Sequence, residues 1–283
     1  MALILPLVIL AQIGPAPSGG QGVHLPQGYE RPAPRRTKTA PLALPVPQSD
    51  KGRACSEALA NGLDEAEAYV ADWVATAKDA ELVEAQACRG MIASRQSDWA
   101  AAESAFIAAR DAAGTDRLAR TRYGAMAGNA ALAGGEPGRA LAALAQAQED
   151  AAGLGEDAPL GEIALDKGRA LVALKRAYEA RIALDEAMAK APGNSDAWLL
   201  SATLYRRVGD LEKAQKHIER AAELNPVDPA VGLEAGVIAM LAGREAAARK
   251  SWTSVVAAAP DSPQAITAKG YLAQLSPVPS TTK

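Results

Sequence analysis

The sequence predicts an all-α protein, a solenoid of about six helix pairs with a C-terminal capping helix over the last pair. One complete unit, a fixed repeat interval and an alanine-rich composition point that way. The unit runs from Asn194 to Pro226, NSDAWLLSATLYRRVGDLEKAQKHIERAAELNP. Asn194, Ser195 and Asp196 can cap a helix on which Trp198, Leu199, Ala202 and Tyr205 recur at helical spacing. Gly209 ends that helix and Asp210 can cap the next. Ala214, Ile218, Ala221 and Leu224 mark the apolar side of the second helix, and Asn225-Pro226 stops it. Two helices joined by a tight turn cannot bury their apolar sides alone, so they need neighbours of the same kind.

A shift of 34 residues supplies those neighbours. Gly209 becomes Gly243, Ala214 becomes Ala248, Ile218 becomes Trp252 and Pro226 becomes Pro260. The reverse shift brings Ala180, Leu184, Ala187 and Pro192 into place, with Gly168 at the position of Ala202. An Ala or Gly on the inner side of each helix lets two backbones approach, and the large residue four positions after the second-helix Ala fills the adjoining gap. Composition agrees. Hydrophobic residues make up 49% of the 283, but aromatics only 4%, so alanine carries much of the apolar count. That suits close helix packing and argues against a sandwich or barrel. A formal net charge of −3 leaves no nucleic-acid footprint.

The chain in order gives the rest. Residues 1–16 read as a signal sequence, possibly incomplete. The run MALILPLVILA is too short to span a bilayer and resembles a signal core, although a basic n-region is missing. Cleavage is expected near Ala11 or Ala16, and location in the periplasm or outside the cell; the alternative is an apolar tail on a cytoplasmic protein. Residues 17–49 are a Pro-rich linker, expected to be disordered, whose Arg31, Arg35, Arg36 and Lys38 read as solvated charges. The solenoid is expected over 50–276. Its first pair is degraded: Ala66 follows Gly62 by four residues, one fewer than Ala214 after Gly209, and Trp73 stands where Ala221 should be. Gly90, Ser97-Asp98, Ala102, Phe106 and Ala109 mark the second pair; Gly128, Gly135, Ala140, Leu144 and Ala147 mark the third. AGLGEDAP inserts a loop before the fourth pair, in which Lys175 replaces the turn glycine and predicts a longer or differently shaped turn. Residues 264–275 form the last helix, covering the end of the stack, and 277–283 a disordered tail.

These units resemble tetratricopeptide repeats. Trp198, Tyr205, Gly209, Ala214, Ala221 and Pro226 carry the family pattern, and Gly236, Gly243, Ala248, Trp252 and Pro260 carry it again. The departures are Ser201 at the usual Leu, Ile218 at the usual aromatic and Gly232 at the usual Trp. The resemblance implies a right-handed superhelical solenoid that binds a protein or peptide along its concave side, lined by the first helix of each pair. Carried over by position, the groove would hold Arg122 and Asn129, then Glu162 and Arg169, then Thr203, Arg206 and Arg207. Leu233, Val237, Met240 and Leu241 would make its apolar end, or else pack on the last helix. Arg206 and Arg207 could pair a carboxylate. Some relatives grip a terminal carboxylate with a Lys-Asn clamp. Here Asn129 matches its Asn but Ala125 stands at its Lys, and Glu162 and Asp166 follow, so no such clamp is expected.

Cys55 and Cys88 would then lie at similar heights on neighbouring first helices, close enough for a disulfide if Cα separation and orientation suit; two buried free thiols are the alternative. No catalytic residue, metal site or cofactor is expected. His24 and His217 have no companions at zinc spacing, and neither a phosphate loop nor a nucleophile elbow occurs. His217 reads as a surface residue beside Glu219 and Arg220. The expected function is a non-enzymatic adaptor or scaffold, bound to a cell-envelope or secretion-system component, without nucleic acid and without an integral membrane span. The alternative is a structural protein that self-associates through repeat ends or groove.

Overall fold

The structure, a computed structural model, describes residues 49–155 and 157–275. The signal sequence, nearly all of the linker and the C-terminal tail anticipated above lie outside the described residues. All regular elements described are helices. They pair as α1 (Asp50–Asn61) with α2 (Leu63–Thr76), α3 (Asp79–Arg95) with α4 (Trp99–Ala112), and α5 (Arg117–Ala133) with α6 (Pro137–Ala151). Then follow α7 (Asp157–Ala173) with α8 (Ala177–Lys190), α9 (Ser195–Arg207) with α10 (Leu211–Leu224), α11 (Pro229–Met240) with α12 (Glu245–Ala258), and α13 (Pro263–Gln274). Two compact units divide within α9, one inside Pro34–Leu200 and one from Ser201 on.

Local chemistry sets the helix ends. Asp98, Asp116 and Asp210 accept from the backbone N–H three residues on, capping α4, α5 and α10. The turn inside most pairs follows one design. Gly135, Gly209 and Gly243 take φ of 77°, 85° and 73°, and the next N–H returns to a carbonyl five residues back, as Asp210 N does to Tyr205 O at 3.0 Å. Lys175 corrects the expectation of an altered turn. It adopts φ 59° itself, and Arg176 N reaches Leu171 O at 2.9 Å, so the fourth turn matches the others. Ser97 does the same at φ 61°. In the first pair Gly62 alone joins α1 to α2 through extended backbone, which accounts for the missing residue.

In the first unit, small-to-large packing holds each pair. A Cβ added at Gly128 of α5 would lie 2.5 Å from Leu144 Cγ of α6, and one at Gly168 of α7 would lie 2.8 Å from Leu184 Cδ2 of α8. The glycines let the helices close to contact. Asp150, nearly buried at the end of α6, accepts from Arg110 Nε and Arg120 Nε, both at 2.9 Å, tying α4, α5 and α6 together. Arg117 Nε donates to the Asp150 carbonyl at 3.1 Å, satisfying a helix C-terminus. Cys55 of α1 and Cys88 of α3 are joined in a disulfide with Cα atoms 6.3 Å apart.

In the second unit, Ser201 explains its departure from the family pattern. It is buried, and its hydroxyl lies 2.8 Å from His217 Nδ1, while the imidazole meets Tyr205 edge-on at 5.1 Å. His217 is therefore a half-buried interhelical group rather than the surface residue expected. Trp252 is buried against Gly236 and donates its indole N–H to Leu233 O at 3.2 Å. The last helix, α13, closes over α11 and α12 through Ala265 and Ala268, with Tyr271 against the Trp252 ring.

Candidate trough on the first helices

The first helices of the first unit enclose a cleft of 720 Å³ between α1, α3 and α5. Its wall is largely apolar: Val83, Ala87 and Met91 from α3, Leu118 and Ala119 from α5, and the Cys55–Cys88 bridge at its base. Toward the other end of the same helices lies a second cleft of 330 Å³. Met91 borders both, and Met126 and Asn129 of α5 line the second. The two, meeting at Met91, make one trough along the first helices, with Trp99 and Phe106 of α4 also lining the second cleft.

Charged groups rim it. Asp79, the first residue of α3, holds φ 51°, a left-handed backbone that an L side chain adopts at some cost. Glu84 accepts from Ser49 N at 3.2 Å and from the Ser49 hydroxyl, anchoring the start of α1. Arg122 is half-buried, and no described residue bonds its buried Nε. Burial raises the Tyr123 phenol above its ordinary value.

A polar cluster continues the face onto α7 and the start of α9. Asp166 is buried, accepts from Arg169 Nη1 at 2.5 Å, and is also bonded by the Asn129 side chain. Arg169 donates its other terminal nitrogen to Asp196 at 2.9 Å. Glu162 accepts from Asn194 Nδ2 at 2.8 Å. Burial pushes both Glu162 and Asp166 above the usual carboxylate range, with Asn194 and Arg169 pulling them partly back.

The residues expected in a groove thus fall out unevenly. Arg122 and Asn129 border the trough, and Glu162 and Arg169 belong to the polar cluster beside it. In the second unit, Arg206 is committed to Glu234 of α11 at 2.6 Å with both side chains largely covered. Thr203 is half-buried and Arg207 exposed. Val237 is buried at 4% exposure, and Leu233 and Met240 pack into the same cluster as α13. Of the three only Val237 is buried; Leu233 and Met240 are half-buried beside α13. Leu241 is half-buried just past α11. The repeat register carries a further signal: with Gly90 aligned to Ala202, Met91 matches Thr203 and Glu84 matches Asp196.

Among the described residues no group of three or more His, Cys, Asp or Glu is placed to hold a metal ion, and no helix is long and apolar enough to cross a membrane.

A tetratricopeptide-repeat family model matches residues 171–236, from the end of α7 to the middle of α11. Residues 171–236 thus match the tetratricopeptide-repeat family. A sequence search of curated proteins finds no match. Solved tetratricopeptide-repeat structures share the fold at low identity. The type IV pilus biogenesis factor PilW is 20% identical with a TM-score of 0.62, over 77% of this chain and 96% of that one. PilF of Pseudomonas aeruginosa is 12% identical with a TM-score of 0.61, over 78% and 96%. MamA of Desulfovibrio magneticus RS-1 is 16% identical with a TM-score of 0.52, over 64% and 97%.

Proposed function

We propose that this chain is a non-enzymatic adaptor that binds a protein or peptide through the first helices of α1, α3, α5 and α7. The observation that carries the reading is the trough: an open, mostly apolar 720 Å³ cleft continued by a second, with polar groups at the rim. Apolar walls with a few placed polar groups suit a segment of another chain, which gains burial from the wall and orientation from the rim. In the second unit, taken by itself, Thr203, Arg207 and Leu241 are the residues proposed to meet a partner. The reading includes an oxidising compartment, the bacterial envelope. The Cys55–Cys88 bridge supports it, since such bonds persist where thiols are not kept reduced, and the apolar run at residues 1–11 is of the kind that directs export.

Site-specific photo-crosslinking in living cells tests this. A crosslinker at Leu118, which lines the trough, should trap a discrete partner, whereas one at Ile107 on α4 should not. Equal trapping at both positions, or none at Leu118, refutes the assignment.

Self-association is the second reading, and one observation favours it. Tyr178 and Ile182 stand exposed one turn apart on α8, at 67% and 51%. Ile182→Glu would then shift a dimer to monomer in sedimentation; a chain that is monomeric throughout removes the reading.

A further inference from the structure

We propose that the trough, when no partner is bound, is occupied by a segment of this same chain, the uncharged stretch at residues 39–48 that leads into α1. The proposal rests on the adaptor reading above, since it takes the trough as a binding surface, and adds a competitor built into the chain. Its first support is where the described chain begins. Ser49 caps α1, its hydroxyl accepting from Gly52 N at 3.0 Å. Its own N–H donates to Glu84 of α3 at 3.2 Å. Gly52 and Glu84 both line the larger cleft. From α2, the Tyr69 hydroxyl donates to Lys51 O at 3.2 Å and holds the same end of α1. The chain that precedes Ser49 is therefore joined to the folded helices at the rim of the cleft.

The second support is chemistry. Residues 39–48 read TAPLALPVPQ, with no charge between Lys38 and Asp50. Leu42, Leu44 and Val46 would gain burial against a wall that includes Val83, Met91 and Leu118. Pro41, Pro45 and Pro47 carry no N–H, so such a segment brings fewer backbone donors to leave unpaired beside apolar side chains. Their fixed φ also lowers the entropy lost when the segment is ordered. A cleft of 720 Å³ is of the size that encloses a small ligand, which suits these side chains on an extended backbone.

Length permits the fit. Leu44 precedes Ser49 by five residues and Leu42 by seven. Extended as polyproline II at about 3.1 Å per residue, they reach about 16 and about 22 Å. The cleft is bounded by α1, α3 and α5. Packed helices lie about 8–10 Å apart, so its far wall at Leu118 falls within that reach. A tether this short holds the segment at an effective concentration on the order of millimolar, so weak apolar contact is enough to fill the trough. A partner must then displace residues 39–48 in order to bind. The segment lies beyond the expected cleavage near Ala11 or Ala16, so an exported chain would retain it.

The test uses the purified full chain. A photo-crosslinker at Leu44, in a mixture of isotope-labelled and unlabelled protein, should join residue 44 to 83–91 of α3 or 118–129 of α5 within one molecule. Joining only between labelled and unlabelled molecules, which would make the occupant a second copy, overturns the proposal, as does joining elsewhere or none. A synthetic peptide of residues 39–48, followed by fluorescence anisotropy, gives an independent readout. It should bind the full chain carrying Leu42→Asp with Leu44→Asp about tenfold more tightly than the unaltered chain, because the built-in competitor is weakened. Leu118→Glu added to that variant should remove most of the gain; helicity is checked for each variant. Equal affinity for the altered and unaltered chains, or binding to neither, overturns the proposal. Trapping at Leu118 in cells decides the adaptor reading separately: a partner captured there alongside equal peptide affinities would strike the built-in competitor alone.

Discussion

Replacing Cys55 and Cys88 together by alanine should loosen the first helix pair by an amount that can be worked out beforehand. The bridge spans 33 residues of sequence. Closing a loop of that length removes unfolded-chain entropy equivalent to about 3–4 kcal/mol. The first pair has other ties to α3, among them the Trp73 indole N–H donating to Glu81 at 2.9 Å and the Lys51–Glu81 ion pair. Arg95 donates to Leu59 O at 2.6 Å and Ser49 N to Glu84 at 3.2 Å, bonds of about 1 kcal/mol each. The apolar cluster around Leu59, Val70, Trp73 and Ile92 supplies the remainder. Losing the bridge removes a share as large as those two bonds together or larger. In a repeat array the loss should stay local. Amide exchange in α1 and α2 should therefore quicken markedly, while α6 and α8 keep their protection. Both cysteines also line the large cleft, so peptide affinity should fall along with it. Two free thiols titrated in the denatured, unreduced chain would refute the argument at its start. A double variant that loses less than about 1 kcal/mol, with exchange unchanged in α1 and α2, would refute the loop-entropy reasoning.

Other substitutions test the packing and the electrostatics. Gly128→Ala places a Cβ against Leu144 and should destabilise by about 1–2 kcal/mol even after its gain in helix propensity, whereas Gly138→Ala, which meets open space, should stabilise slightly; chemical denaturation separates the two. Lys175→Gly relieves a left-handed lysine and should raise stability by up to about 1 kcal/mol, read as a higher melting temperature. For Asp166 the folded carboxyl titrates above its unfolded value, so its contribution to stability is fullest at low pH and is lost as pH rises through the raised value. Asp166→Asn should accordingly gain on the wild type as pH rises from the ordinary aspartate value, measured by denaturation across that range; a difference that moves the other way contradicts the assignment.

Much of the architecture was legible because it rests on short-range chemistry. The Gly or Ala that meets a bulky residue on the paired helix, and the Asp that caps the second helix, recur at fixed intervals. The fourth turn was misjudged because sequence shows which residue is missing but not what a lysine will tolerate. Lys175 accepts φ 59° since the return bond to Leu171 and the packing of α7 on α8 outweigh a local cost. His217 was misjudged because its partner, Ser201, had been noted only as a departure from a pattern. The candidate site divides along the same line. Register within regular repeats placed Arg122, Asn129, Glu162 and Arg169 on first helices, where they border the clefts or the polar cluster beside them. Met91 and Met126 were passed over because the first pairs look degraded, although Gly90 and Gly128 fix their register. Leu233, Val237 and Met240 could not be placed by register alone: α11 is apolar on several sides, and which side is covered depends on α13, a helix more than twenty residues further along.

The adaptor reading is tested most directly by hydrogen exchange on the chain with and without the partner trapped at Leu118. The account predicts new protection on α3 from Val83 to Met91 and on α5 from Leu118 to Asn129, with α6 and α8 unchanged. Protection confined to α6, or to the Tyr178–Ile182 side of α8, would contradict it and put the binding surface on the second helices instead.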